Sequence, residues 1–355
     1  MPTKHSQPPD ELAAALRHGA ELADASDAWP RSSWNSLANH GALGWPIPRQ
    51  FGGTELPAEE LLRGYERLAG ACLTTTFILS QRDAAVRRIV AAGRDDLNAE
   101  LLPSLATGRS FATVGLSQLT TSRQHGAPAL RGEFKDDRVC LTGVIPWVSG
   151  ADQAEHIVAG AVLPDGQQIL VALPTTVSGI RVGPPMPLAS LAGSRTTEVS
   201  CDGVAVDRRW LLAGPAQQVL SSARGGAGGL ETSCLALGHA GAAIDDLVAE
   251  SAVRPELKPL AERMESARVN LRSELQKLAT DGVTAEAAVA LRARANALVI
   301  RATQAALTAA KGAGFVRPHP AQRRARQALF FLVWSCPRAA AEATLGYLGD
   351  GPACA

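Results

Sequence analysis

The feature that most constrains this chain is a change of texture near residue 111 and its reversal after residue 211. Between these points Phe111–Leu116, Ala129–Phe134, Arg138–Leu141, His156–Val162, Ile169–Leu173, Gly179–Val182 and Thr196–Val206 are short segments of β-favouring composition. Asp136-Asp137 and Pro164-Asp165-Gly166 separate consecutive members as turn signals. The block therefore reads as closely spaced, hairpin-linked strands continuing to Trp210. On both sides apolar residues recur at helical spacing instead. Glu11–Asp24, Ser33–His40, Pro57–Ala69, Leu73–Ala92 and Asp95–Thr107 precede the block; Leu230–Ala252, Pro255–Thr280, Thr284–Ala313 and Ala321–Leu348 follow it. This order predicts an α+β chain of three units: an N-terminal helical domain (1–110), a middle antiparallel β-barrel or sandwich (111–212) and a C-terminal helical bundle (213–355).

Charge and cysteine usage exclude several function classes. The 355 residues carry 35 basic and 34 acidic side chains, net +1, so no global field argues for nucleic acid or an anionic membrane. Cys72, Cys140, Cys201, Cys234, Cys336 and Cys354 show no Cys-x-x-Cys or Cys/His spacing. That argues against a zinc site or a disulfide framework and fits a reducing compartment. The first residues lack the apolar run of a signal peptide, and no stretch is long enough to span a bilayer. The expectation is a cytoplasmic protein without a metal.

Several stretches carry chemistry. Leu141 to Gly150 reads as a strand that turns at Gly143 and bends at Pro146. If it is extended, Trp147 and Ser149 point the same way. A ring beside a hydroxyl suits a flat heteroaromatic ligand; the same pair is met where a Trp fills a barrel core and a Ser ends its strand. Gly115 to Gln124 is a hydroxyl-rich segment after a strand, either a ligand loop or a polar sheet edge. The Gly-rich run 224–229 lacks the Gly-Lys-Ser/Thr ending of a phosphate loop. Arg323, Arg324 and Arg326 precede Phe330, Phe331 and Trp334, which reads as a helix with a solvated basic face and an aromatic core face.

In this order, from about Gly41 to near the C-terminus, these stretches resemble the acyl-CoA dehydrogenase family. Gly44 to Gly53 is similar to the family's Gly-x-x-x-Pro-x-x-(Tyr/Phe)-Gly-Gly loop. Gly143 to Gly150 is similar to its Gly-x-x-x-Trp-(Ile/Val)-(Thr/Ser)-Asn segment, which implies that Trp147 flanks an FAD and Ser149 bonds the flavin N5 region. Gly115 to Gln124 stands where the family reads Leu-Thr-Glu-Pro-x-x-Gly-Ser-Asp, a loop holding flavin and acyl-CoA. There Leu116 keeps its place, Ser117 stands for the Thr and Gln118 for the Glu, while Ser122 and Arg123 replace Gly and Ser. Leu116, Ser117 and Ser122 are thus implied as cofactor contacts. Arg123 departs from the family pattern and is a candidate substrate contact by its own chemistry, able to meet a carboxylate or phosphate bidentately, a solvated Arg being the other reading.

Glu231 lies ten residues before Gly241, a spacing similar to that of the isovaleryl and long-chain types, whose catalytic glutamate sits on this helix. Most members carry the glutamate in a C-terminal Tyr-Glu-Gly-Thr segment. The corresponding residues here are Trp334-Ser335-Cys336-Pro337, with Ser335 in the glutamate's place. A Ser cannot take up an α-proton unaided near neutral pH. Glu231 is therefore the candidate base, a solvent-facing helix Glu being the alternative. Arg254 falls where the family has an Arg that reaches a neighbouring subunit's FAD pyrophosphate. Thr308 to Phe315 is similar to Gln-x-x-Gly-Gly-x-Gly-Tyr, with Thr308 for the Gln, Lys311 for the first Gly and Gly312 for the second. These four implied contacts entail a homodimer or homotetramer. The resemblance implies α,β-dehydrogenation of an acyl thioester, with hydride transfer to FAD N5 and electrons passed to an electron-transfer flavoprotein. A flavin monooxygenase on the same fold, or a non-catalytic flavin- or acyl-binding assembly subunit, are the alternatives.

Overall fold

The computed structural model describes residues 10–120, 127–222, 229–334 and 338–349. Its first layer is helical: α1 (Asp10–Ala25), α2 (Arg31–Asn39), α3 (Ala58–Ala71), α4 (Leu73–Ala91) and α5 (Asp95–Thr107). Glu59 and Glu60 in the first turn of α3 complement its dipole, and Gly108, at φ +74°, ends α5. The loop between α2 and α3 holds two short 3-10 turns, Ala42–Gly44 and Arg49–Phe51. α4 is buried almost all round, through Phe77, Ile78, Leu79, Ala85, Val86 and Ile89. A charged side chain on such a helix goes inside with it.

The middle of the chain forms one sheet rather than a closed antiparallel barrel. Its strands are β1 (Ala112–Gly115), β2 (Leu130–Lys135), β3 (Arg138–Val148), β4 (His156–Val162), β5 (Gln168–Pro174), β6 (Ile180–Val182), β7 (Thr197–Asp207) and β8 (Leu211–Ala216), with the one-turn helix α6 (Ser117–Thr120) after β1. The order is β6-β7-β3-β2-β4-β5-β8, and β1 pairs with β4. The sheet is mixed. β1 lies parallel to the start of β4, with Ala112 opposite His156, and β2 meets its end in parallel at Arg131 and Val162. The β2–β3 hairpin supplies the long crossover that a parallel β1–β4 pair requires.

Two expectations fail here for local reasons. Gly143 does not turn the chain out of the sheet. At φ +128°, with its Cβ position 2.1 Å from the Ala129 carbonyl oxygen, it packs against β2 where only a glycine fits. Register shifts after Leu141 and after Ile145 absorb Gly143 and Pro146 as irregularities within a longer β3. Strand texture also continues past Trp210, because β8 pairs with β5 despite Gly214 and Pro215.

The C-terminal part comprises α7 (Val219–Ser222), α8 (Leu230–Ser251), α9 (Lys258–Asp281), α10 (Ala285–Gly314), α11 (Pro320–Ala328) and α12 (Arg338–Gly349). α8 is central, with Cys234, Leu235, Ala236 and Leu237 buried. It crosses α3 so closely at Gly238 that a Cβ would fall 2.0 Å from the Glu66 carbonyl oxygen. The helix expected over Ala321–Leu348 is divided: α11 passes into a 3-10 turn, Leu329–Leu332, where Phe330 and Trp334 pack edge-on against Phe77. The basic face of α11 is not solvated either. Arg323 pairs with Glu21 at 2.9 Å, Arg326 with Asp24 at 2.7 Å, and Arg324 with Asp246, so these arginines tie α11 to α1 and α8. Among the described residues no helix is long and apolar enough to cross a membrane.

Candidate functional site

Gly229, at φ +86°, precedes α8, so Glu231 falls in that helix's first turn, where the dipole favours a carboxylate. Its side chain is 14% exposed and accepts a hydrogen bond from Arg87 Nη2 at 2.9 Å, which sets aside the solvent-facing reading. Behind the pair, Arg87 Nη1 donates to Tyr65 Oη at 3.4 Å, and Tyr65 Oη donates to Asp83 at 2.6 Å. Asp83 also accepts from Arg82 at 2.6 Å, and Arg82 reaches the carbonyl oxygens of Leu43 and Leu105. Burial alone would lower the Arg87 guanidinium, but Glu231, Tyr65 and Asp83 outweigh it and hold it above its ordinary value. Burial, with the nearby Asp83, pushes Tyr65 well up. The seam thus presents a charged Arg87 and a neutral phenol behind one carboxylate. Beside Glu231, Thr232 and Ser233 are buried, and Ser233 Oγ has no partner. Tyr65 on α3 and Asp83 and Arg87 on α4 were missed by motif reading; the available signal was that α4 mixes apolar and charged residues without one distinct polar face, so some of its charges had to be interior.

The residues assigned to the flavin ring lie on the sheet. Trp147, near the end of β3, is 49% exposed. Ser149 is buried, with Oγ 2.9 Å from Thr196 Oγ1, itself 2.9 Å from Ser194 Oγ. The ring is therefore open to a ligand, while the hydroxyl already has a protein partner. Leu116 lies between β1 and α6, and Ser117 opens α6. Gln118 Nε2 donates to the carbonyls of Gly115 and Gly160 at 2.9 and 2.8 Å. Gln118 Oε1 and Ser117 Oγ are buried without partners. Orphaned polar atoms in a family-assigned ligand loop fit a group with polar ring edges. Ser122, Arg123 and Ser335 lie outside the described residues.

A third set lies at one end of the bundle. Arg254 precedes the 3-10 turn Pro255–Leu257. Its Nε donates to Glu250 at 2.9 Å and its Nη2 to the Ala309 carbonyl, which brings it to the end of α10. Thr308, Lys311 and Gly312 are exposed there. Lys311 has φ +53°, a conformation that glycine adopts more readily, and it occupies a family glycine position.

Helices, a mixed sheet and a helical bundle in this order define an acyl-CoA dehydrogenase fold. The model of the acyl-CoA dehydrogenase N-terminal domain matches residues 10–109. A probable acyl-CoA dehydrogenase of Bacillus subtilis (strain 168), YngJ, is 24% identical over 333 residues, covering 87% of each chain. Among solved structures, a glutaryl-coenzyme A dehydrogenase in its glutaryl-CoA complex superposes with a TM-score of 0.83 at 18% identity, covering 98% of this chain and 97% of that one. The butyryl-CoA dehydrogenase of Megasphaera elsdenii gives 0.80 at 18%, covering 95% and 96%. Residues 10–109 thus match the acyl-CoA dehydrogenase N-terminal domain, and the chain as a whole has the acyl-CoA dehydrogenase fold.

Proposed function

We propose that the chain is an FAD-dependent oxidoreductase acting on an acyl thioester, with Glu231 as its general base. The observation that supports this most is the partly buried Glu231 carboxylate, held at the start of α8 by Arg87 and flanked by the buried small residues Thr232 and Ser233. FAD, when bound, supplies the hydride acceptor. Trp147 offers a ring face for stacking, and Ser117 Oγ and Gln118 Oε1 offer unpaired polar atoms to the cofactor's edge. Glu231 takes the α-proton at a carboxylate oxygen, and Arg87 fixes that carboxylate's orientation. Arg254, Thr308, Lys311 and Gly312 would complete the cofactor site of a second subunit, in a homodimer or homotetramer. An electron-transfer flavoprotein would then receive the electrons.

The Arg87 pair also favours a second reading. A carboxylate already engaged by a guanidinium must turn from it to meet a substrate proton, and Ser335 stands at the usual base position. A flavin monooxygenase on this fold, or a non-catalytic flavin- or acyl-binding subunit, needs no such base. Anaerobic mixing of the flavin-loaded protein with a panel of acyl-CoA thioesters separates the readings. Bleaching of the oxidised flavin, abolished in Glu231→Gln with flavin retained, is the expected result. Bleaching that survives this change removes Glu231 as the base; oxygen-dependent turnover indifferent to it points to the monooxygenase. Trp147→Ala should lower flavin content in the purified protein, and unchanged content would mean the ring sits elsewhere.

A further inference from the structure

Ser149, two residues after the half-exposed Trp147, ends a row of three hydroxyls whose direction is decided by burial. β3 and β7 are still in register at Val148 and Thr197. Just beyond that pair, Ser149 Oγ lies 2.9 Å from Thr196 Oγ1, which lies 2.9 Å from Ser194 Oγ. The three residues, in that order, are 4%, 6% and 0% exposed. A hydroxyl has one hydrogen to give and can accept through its lone pairs, and a buried one gives that hydrogen to whatever acceptor is present. Among the described residues the Ser194 hydroxyl meets only Thr196, so Ser194 is the donor of that pair. Thr196 then has only Ser149 left to receive its own hydrogen. Ser149 therefore accepts within the protein, and its hydrogen has no acceptor there.

The loop that carries the first two hydroxyls is tied down. The Leu191 N–H donates to Asp24 at 2.9 Å, the Gly150 N–H donates to the Ser194 carbonyl at 2.9 Å, and Arg195 Nε donates to Asp152 at 2.6 Å. The end of β1 packs on the same stretch of β3. A Cβ on Gly115 would fall 2.3 Å from Ile145 Cγ2 and 3.3 Å from Val148 Cγ2. Ser117 and Gln118, with their unpartnered buried atoms, follow directly after that contact.

We propose that Thr196 and Ser194 are positioning residues for the cofactor: the row of hydroxyls commits Ser149 to donate, so that it selects a ring edge that accepts a hydrogen bond. The proposal rests on the reading that FAD stacks on Trp147. The acceptor that fits is N5 of the oxidised flavin, which offers a lone pair. Without the row, Ser149 would be free to turn its hydrogen inwards and present only lone pairs to the ligand. Direction thus matters as well as proximity, and Ser194 acts on the ligand through two other hydroxyls. A donor already aimed at its target loses less freedom on binding.

The protein, stripped of flavin, is titrated with FAD and with 5-deaza-FAD, in which a C–H replaces N5. Wild type should prefer FAD by about three- to tenfold, the worth of one neutral hydrogen bond. Ser149→Ala should abolish that preference. Ser194→Ala, remote from the ligand, should reduce it; Thr196→Val should reduce it further, and Thr196→Ser, which keeps a hydroxyl, should restore it. Thr196→Val strands the Ser194 hydroxyl, so if its melting temperature shows that it does not fold, Ser194→Ala and Thr196→Ser decide. A preference abolished by Ser149→Ala but untouched by Ser194→Ala and Thr196→Val overturns the role of the row and leaves the flavin reading standing. A wild type without preference, or a preference that survives Ser149→Ala, overturns the proposal, and flavin content in Trp147→Ala then shows whether the stacking reading stands. A wild type that binds neither flavin overturns the proposal through the reading on which it rests.

Discussion

The sheet and the seam between α4 and α8 are both buried, on opposite principles. Ile157, Val158, Leu170, Val171 and Val204 fill the sheet's interior, and the polar groups that go inside with them are largely backbone groups paired across the ladder. In the seam, the Arg82 and Asp83 side chains are 1% and 0% exposed, and those of Arg87 and Glu231 are 16% and 14% exposed. There the partners are side chains from α3, α4 and α8, so removing one leaves another uncompensated. Sheet contacts should therefore act nearly independently, whereas seam contacts act as a unit.

The largest expected effect breaks the seam. Asp83→Ala leaves Arg82 buried and unpaired and should cost about 3–5 kcal/mol in urea unfolding. Replacing Arg82 and Asp83 together by Leu should cost less than Asp83→Ala alone. In the sheet, Leu170→Ala should cost about 2–5 kcal/mol. Combined with Val206→Ala, on β7 with three strands between in the order, it should add to within about 0.5 kcal/mol. A seam double variant that is simply additive would erase the contrast.

The next effect sharpens it by pH. His239 on α8 is fully buried, with Nε2 3.0 Å from the Arg324 carbonyl, and burial lowers it from 6.5 to about 4. The native state holds it neutral while the unfolded chain protonates near 6.5. Its contribution is thus present above pH 6.5 and is lost as pH falls towards 4, about 3 kcal/mol in all. Unfolding midpoints across this window should fall in wild type and flatten in His239→Gln. His156, on the sheet beside Trp210, is also lowered by burial, but it is less enclosed and its replacement should flatten the curve less. Parallel curves for wild type and His239→Gln would show that His239 is not held neutral.

The smallest effect lies outside both regions. The exposed Arg63–Glu59 pair on α3 should change stability by about 0.5 kcal/mol or less in Glu59→Ala. A loss comparable to that of Asp83→Ala would mean that surface pairing matters as much as burial.

Much of the fold was legible because periodicity is local. Asp95–Thr107 and His156–Val162 are a helix and a strand with the bounds their patterns indicate. β3 and β8 were less legible, since Gly143, Pro146, Gly214 and Pro215 are turn signals until a neighbouring strand holds them. The arginines of α11 looked solvated because their partners, Glu21, Asp24 and Asp246, lie on distant helices. Trp147, Ser117 and Glu231 stood out because their short stretches resemble segments of the acyl-CoA dehydrogenase family. Nothing in those stretches indicated that Ser149 would bond Thr196, or that Glu231 would meet Arg87.

By itself, the sequence determined which segments favour helix or strand and in what order, because those preferences act over a few residues. Tertiary structure alone decided which charges meet, because Coulomb attraction and desolvation depend on distance through space and on access to water. Arg87 and Arg88 are adjacent on one helix and identical in kind. One is held by Glu231, 144 residues further along the chain. The other faces an apolar cavity made by the end of its own helix and two strands.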